Sequence, residues 1–145
     1  MKKLIILLLI VLNVAYAKKF LIKKGDIVDG KLNVGIVIAK KPSVNTEFLN
    51  PYQEKEPPQV YPISITFSSN ILQNCNAIGY LIYNTDFNRF YGSISEISCN
   101  ENGKIKNYET KGYILNNQAI VGLSELETQT NTPIKIMFIK EITPK

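Results

Sequence analysis

Short apolar runs that alternate with polar residues, broken at close intervals by Gly, Asn and Pro, constrain this chain more than any other feature. "KLNVGIVIAK" places Leu32, Val34, Ile36 and Ile38 on one face. "VYPISITFS" sends Ile63, Ile65 and Phe67 to one side and Ser64, Thr66 and Ser68 to the other. "NAIGYLIY" and "RFYGSISEIS" follow, joined by the turn-rich "NTDFN". "NENGK" carries Asn102-Gly103, a strong hairpin signal, and leads into "YETKGYIL". Asn116-Asn117 then separates that run from "AIVGLSEL", and "PIKIMFIKEI" closes the series. A period of two with scarce helical signals predicts an all-β fold. The expectation is a small β-barrel or sandwich of seven to eight mostly antiparallel strands.

The amino terminus reads differently. In "MKKLIILLLIVLNVAYAKKF", Lys2 and Lys3 precede an apolar run from Leu4 to Val14, and Ala15-Tyr16-Ala17 is a small-x-small cleavage signal. The run is short for a membrane-spanning helix, which needs about 20 apolar residues. The pattern predicts a signal peptide over 1–17, cleaved after Ala17, and a single exported β domain over 18–145. A periplasmic location follows, with association at the outer membrane as an extension of it.

Export gives meaning to the only two cysteines, Cys75 and Cys99. In an oxidising compartment an even pair forms a disulfide, whereas a redox-active pair sits as C-x-x-C. A bridge here closes a loop of about 25 residues, worth roughly 3–4 kcal/mol through loss of chain entropy in the unfolded state. In the strand reading, both cysteines lie at the outer ends of one hairpin. The bridge then pins its register farthest from the turn.

Between the first two strands, "KKPSVNTEFLNPYQEKEPPQVYP" (40–62) is a proline-rich excursion too long for an ordinary hairpin loop. Pro57-Pro58 would stiffen it as polyproline-II structure. Removing Lys2 and Lys3 from the 17 Lys and Arg leaves 15 against 12 Asp and Glu, a net of +3. The lysines are scattered, so they read as solubilising charge, and no direct nucleic-acid partner is expected. Tyr80, Tyr83, Phe87, Phe90 and Tyr91 crowd the cysteine-bounded stretch, and most are expected in the core.

The chain has no histidine, which removes His-based general bases, Ser-His-Asp triads and the usual zinc sites. No G-x-S-x-G or phosphate-cradling glycine loop is present. Carboxylate pairs at Asp26/Asp29, Glu54/Glu56 and Glu125/Glu127 read as surface acids, and "DIVDG" as a turn between strands. No catalytic residue, cofactor or metal is expected, and the inventory points to a binding or structural protein.

The stretch "CNAIGY…RFYGSISEISCNENGKIKNYETKGYILNNQAIVGL" resembles the C-terminal β-barrel domain of the TraB/TrbI family, scaffold proteins of type IV secretion and conjugation core complexes. The matching positions are Cys75, Arg89, Tyr91, Cys99, Gly103, Lys111, Gly112, Tyr113, Gly122 and Leu123. "KKGDIVDGKLNVGI" looks like the family's opening strand and "TPIKIMFIKEI" like its closing one. The family's membrane anchor and pore-lining helices have no counterpart, and only "SELETQTNT" (124–132) stands where those helices would be inserted. The resemblance implies a periplasmic, non-enzymatic component of such an apparatus. It would assemble through sheet edges with other subunits, or with itself in a ring. The alternative is a free-standing secreted binding module for an envelope protein, a glycan or a small ligand.

Overall fold

The computed structural model describes residues 20–33, 35 and 59–145. Residues 1–19 (which contain the expected signal peptide), Val34, Ile36, Ile38, Glu54, Glu56 and the excursion as far as residue 58 lie outside them. Six strands form a single antiparallel sheet: β1 (Ile27–Leu32), β2 (Val60–Phe67), β3 (Cys75–Asn84), β4 (Arg89–Glu101), β5 (Lys104–Asn116) and β6 (Pro133–Pro144). The sheet closes on itself, because β1 pairs with β2 on one side and with β6 on the other. Closure decides between barrel and sandwich in favour of the barrel.

Among the described residues the strand count is six rather than seven to eight, and "AIVGLSEL" accounts for a difference there. It contributes only two isolated bridges, Leu115 with Val121 and Phe90 with Leu123. Ala119 (φ 63°) and Gly122 (φ 84°) both sit in left-handed backbone, which a strand cannot contain. "DIVDG" is also corrected: its Ile27-Val28-Asp29-Gly30 is β1 itself, with Asp29 opposite Lys135 and the two side chains paired at 2.5 Å. The proline-rich excursion ends earlier than residue 62, since Val60, Tyr61 and Pro62 pair with Ile82, Leu81 and Tyr80. Among the described residues β1 pairs with β2 only at Ile65–Phe67, so Pro62 lies beyond that ladder, on a stretch of β2 where a missing N–H breaks none of the described bonds to β1.

Period-two alternation survives closely in the burial. On β2, Ile63, Ile65 and Phe67 are buried, and on β3 Cys75, Ala77 and Leu81. Phe90, Ile94, Ile97, Ile136 and Phe138 complete an interior filled by side chains, with Phe67 and Phe138 stacked at 6.4 Å. One end is covered by Ile22, by Leu72 from a short 3₁₀ turn (Asn70–Leu72), and by Phe20 edge-on to Tyr108 at 4.8 Å. The other end gathers Tyr61 and Tyr83 around Phe90, at 5.7 and 4.9 Å.

Cys75 and Cys99 are bonded and stand directly opposite one another, Cα to Cα 4.1 Å. The flanking bond from the Asn100 N–H to the Asn74 carbonyl makes them a non-hydrogen-bonded pair, the position where opposed side chains come closest. At the other end of this hairpin, the Asn84 side chain accepts from the N–H groups of Asp86 and Phe87, and Asn88 takes φ 50°. Asn102-Gly103 forms the next turn, both with positive φ, as a two-residue primed turn requires.

Candidate functional site

Closure leaves no strand unpaired along its whole length. Among the described residues of β5, Lys104–Lys106 project past the end of β6 and have β4 alone as neighbour. The larger feature is on the outside of the wall, where β3, β4 and β5 carry a groove of ≈ 580 Å³. Tyr80 and Ile82 come from β3, Tyr91, Gly92 and Ser93 from β4, and Lys111 and Tyr113 from β5. Val121 closes one side, and Tyr83, Asn84, Thr85 and Asp86 line the hairpin end.

Register builds this site. Tyr80 pairs with Ser93 and Ser93 with Tyr113, so three outward side chains form one row across three strands. Ile82 pairs with Tyr91 in the next row. The small Ser93 between two tyrosines makes the floor, and it is itself buried. Tyr80 and Tyr113 are each 41% exposed, which leaves their rings available. The expectation that the crowded aromatics are mostly core is corrected: only Phe90 is fully buried, Tyr83 packs partly against the core, and Phe87 is 69% exposed. Outward strand positions put Tyr80 and Tyr91 on the wall.

The positions singled out by sequence fall around this groove. Tyr91, Lys111 and Tyr113 line it. Arg89 lies behind it: Nη2 donates to the Gly122 carbonyl at 2.7 Å and Nε to that of Val121 at 3.3 Å. Its guanidinium also lies 4.0 Å from the Glu127 carboxylate, which accepts from the Ser124 N–H at 2.8 Å. Leu123 exchanges backbone hydrogen bonds with Phe90, both 2.8 Å. Gly122 must be glycine for two reasons, its φ of 84° and the 2.8 Å that would separate a Cβ from the Tyr91 ring. The loop thus seals Leu115, an outward β5 side chain that is nonetheless buried. Gly112 and Gly103 lie outside the groove, in β5 and in the turn before it.

The groove offers recognition chemistry: rings, a hydroxyl floor, one carboxylate and one ammonium. The remaining carboxylates of interest lie apart from it. Asp26 accepts from the Lys23 N–H, Glu125 opens a 3₁₀ turn (Glu125–Thr128), and Glu101 accepts from the Tyr108 hydroxyl at 2.6 Å. Among the described residues, no group of three His, Cys, Asp or Glu is placed to hold a metal ion.

No protein-family model, curated protein or solved structure matches this chain.

Proposed function

We propose that this chain is an exported, non-enzymatic binding module that assembles in the periplasm with the core of a type IV secretion or conjugation apparatus. The tyrosine groove is its docking surface. One observation carries the reading. Six of the positions that resemble the TraB/TrbI barrel form one connected unit, with Tyr91, Lys111 and Tyr113 in the wall and Arg89, Gly122 and Leu123 holding the loop against it. Exposed tyrosines in a concave patch supply large contact area at small entropic cost, which is why such rings are enriched at interfaces. Because the barrel closes, the docking surface in this reading is the outer wall rather than the sheet edges, with the Lys104–Lys106 overhang a short edge on β5 among the described residues.

The second reading, a free-standing module for an envelope protein, glycan or small ligand, is favoured by the polar groups Asn84, Asp86, Ser93 and Lys111 interleaved with the rings. Its ligand would lie on the wall, because side chains fill the interior.

The test is a mild-detergent pull-down of the tagged chain from the envelope of its own cells, beside a Tyr113→Ser variant. Recovery in a megadalton-scale assembly with secretion-channel subunits, lost in the variant, is the expected result. Recovery of a small soluble species with no such subunit overturns the scaffold reading and favours the free-standing module.

A further inference from the structure

We propose that the groove binds a second copy of this chain in a two-fold symmetric dimer, the β3–β4 hairpin tip of each copy entering the groove of the other. The inference rests on the groove being a docking surface and adds the identity of its occupant.

The two groove charges carry it. Asp86 lines the hairpin end and Lys111 the opposite end, and neither takes part in an ion pair among the described residues. A patch with one acid and one base at its two ends is complementary to itself under a two-fold rotation. A two-fold contact between residue i and residue j always occurs twice. Asp86 of each copy therefore meets Lys111 of the other, and the axis passes through the tyrosine rows between them.

The tip supplies the shape. Phe87, next to Asp86, is 69% exposed at the apex of the turn, held there by the Asn84 side chain and by Asn88 in left-handed backbone. A phenyl ring on a turn is a knob, and the groove that Tyr80, Tyr113 and Lys111 help to line is the concavity on the same molecule that it would enter. Docking would cover Phe87 together with the half-exposed tyrosines at the interface centre, with the charge pairs at its rim. Phe87 lies outside the lining of the groove, so an occupant confined to the groove leaves it in water. A second copy accounts for the knob, the concavity and both charges together.

The experiment is sedimentation equilibrium on the oxidised, exported chain over a range of concentrations. A reversible monomer–dimer equilibrium is expected. Asp86→Lys and Lys111→Glu should each weaken dimerisation roughly tenfold or more through like-charge contacts. An equimolar mixture of the two should recover the dimer, since every altered residue then faces its opposite charge. Phe87→Ala should weaken dimerisation by about tenfold with unchanged melting, as expected for an exposed anchor.

A monomer at all concentrations, or a mixture no tighter than either variant alone, overturns the proposal. A larger assembly through the same residues overturns the two-fold arrangement. The two tests fail separately. A monomer that still recovers channel subunits through the groove leaves the proposed function standing, and a dimer found without them leaves only this inference.

Discussion

The Arg89 guanidinium on β4 holds the backbone of Gly122, donating to its carbonyl oxygen at 2.7 Å and to that of Val121 at 3.3 Å. A charged donor on two carbonyls holds a loop that has little regular structure of its own. Beneath that loop lie Leu115 and Leu123, both buried. Arg89→Ala should therefore cost about 1.5–3 kcal/mol, the range for hydrogen bonds involving charged groups. Arg89→Lys should recover part of it, because an ammonium can reach one carbonyl but lacks the planar fork. Urea unfolding measures this, and an Arg89→Ala midpoint equal to wild type would remove the strap from the account. Val121 should shift with the loop, so the variant should also weaken docking in the groove.

The Cys75–Cys99 bond joins directly opposed residues, both inside the core. Its loop spans a sequence separation of 24, for which chain entropy alone gives roughly 3–4 kcal/mol. Replacing both with alanine should lower the melting temperature by roughly 10–20 °C for a domain of this size. Alanine is preferred to serine because a hydroxyl at either position would be buried. Melting curves of oxidised and reduced wild type provide a second route, and identical curves would sink the staple.

Which parts of this were readable from the chain follows from the range of each signal. Ile63, Ile65 and Phe67 alternate within one strand, and Asn102-Gly103 dictates its turn locally, so both were legible. The cysteine pairing followed from there being two and from the expectation of an oxidising compartment, and the bond itself is present. "DIVDG" misled because Asp and Gly favour turns, while Lys135, more than a hundred residues away, pairs with Asp29 inside a strand. "AIVGLSEL" misled because its apolar content resembles a strand, yet its backbone conformation is set by Arg89 and by Gly122 against Tyr91. The groove is the least legible feature. The crowded aromatics, Tyr80 and Tyr91 among them, read as mostly core, whereas the strands turn Tyr80, Tyr91 and Tyr113 outward. Only the register across three strands, shifted at Ser95 by a bulge between Ile78 and Gly79, makes them neighbours.

Tyr108 gives a pH signature. Burial pushes its phenol up from 10.0 to about 12, and the hydrogen bond to the Glu101 carboxylate and that carboxylate's charge act in the same direction. The folded state thus favours the neutral phenol. The resulting stability is complete below pH 10 and is lost as pH rises from about 10 towards 12, a loss on the order of 2 kcal/mol. Tyr108→Phe should flatten that part of the stability curve, and the ultraviolet phenolate titration of wild type minus variant should show one late tyrosine. A difference titration centred at the ordinary tyrosine value would contradict the buried Glu101 pairing.

Gly92 sets how closely β3 and β4 approach beneath the groove. A Cβ at that position would penetrate the Tyr80 carbonyl oxygen and lie 2.9 Å from the Leu81 Cα. Both obstacles are backbone, so no rotamer change relieves them, and the strands must separate where Tyr80, Tyr91 and Ser93 form the site. Gly92→Ala should therefore cost about 3 kcal/mol or more, at the upper end for overpacking. Gly103 is the contrast, because nothing lies within 4 Å of its missing side chain and its φ of 82° is one that asparagine tolerates. Gly103→Asn should cost less than about 1 kcal/mol. Hydrogen exchange on the oxidised protein separates the two effects. Gly92→Ala should expose the amides around Leu81 and Tyr91 while those beside Cys75 and Cys99 stay protected by the crosslink. Uniform loss of protection along the hairpin would mean that the close approach is not localised at Gly92.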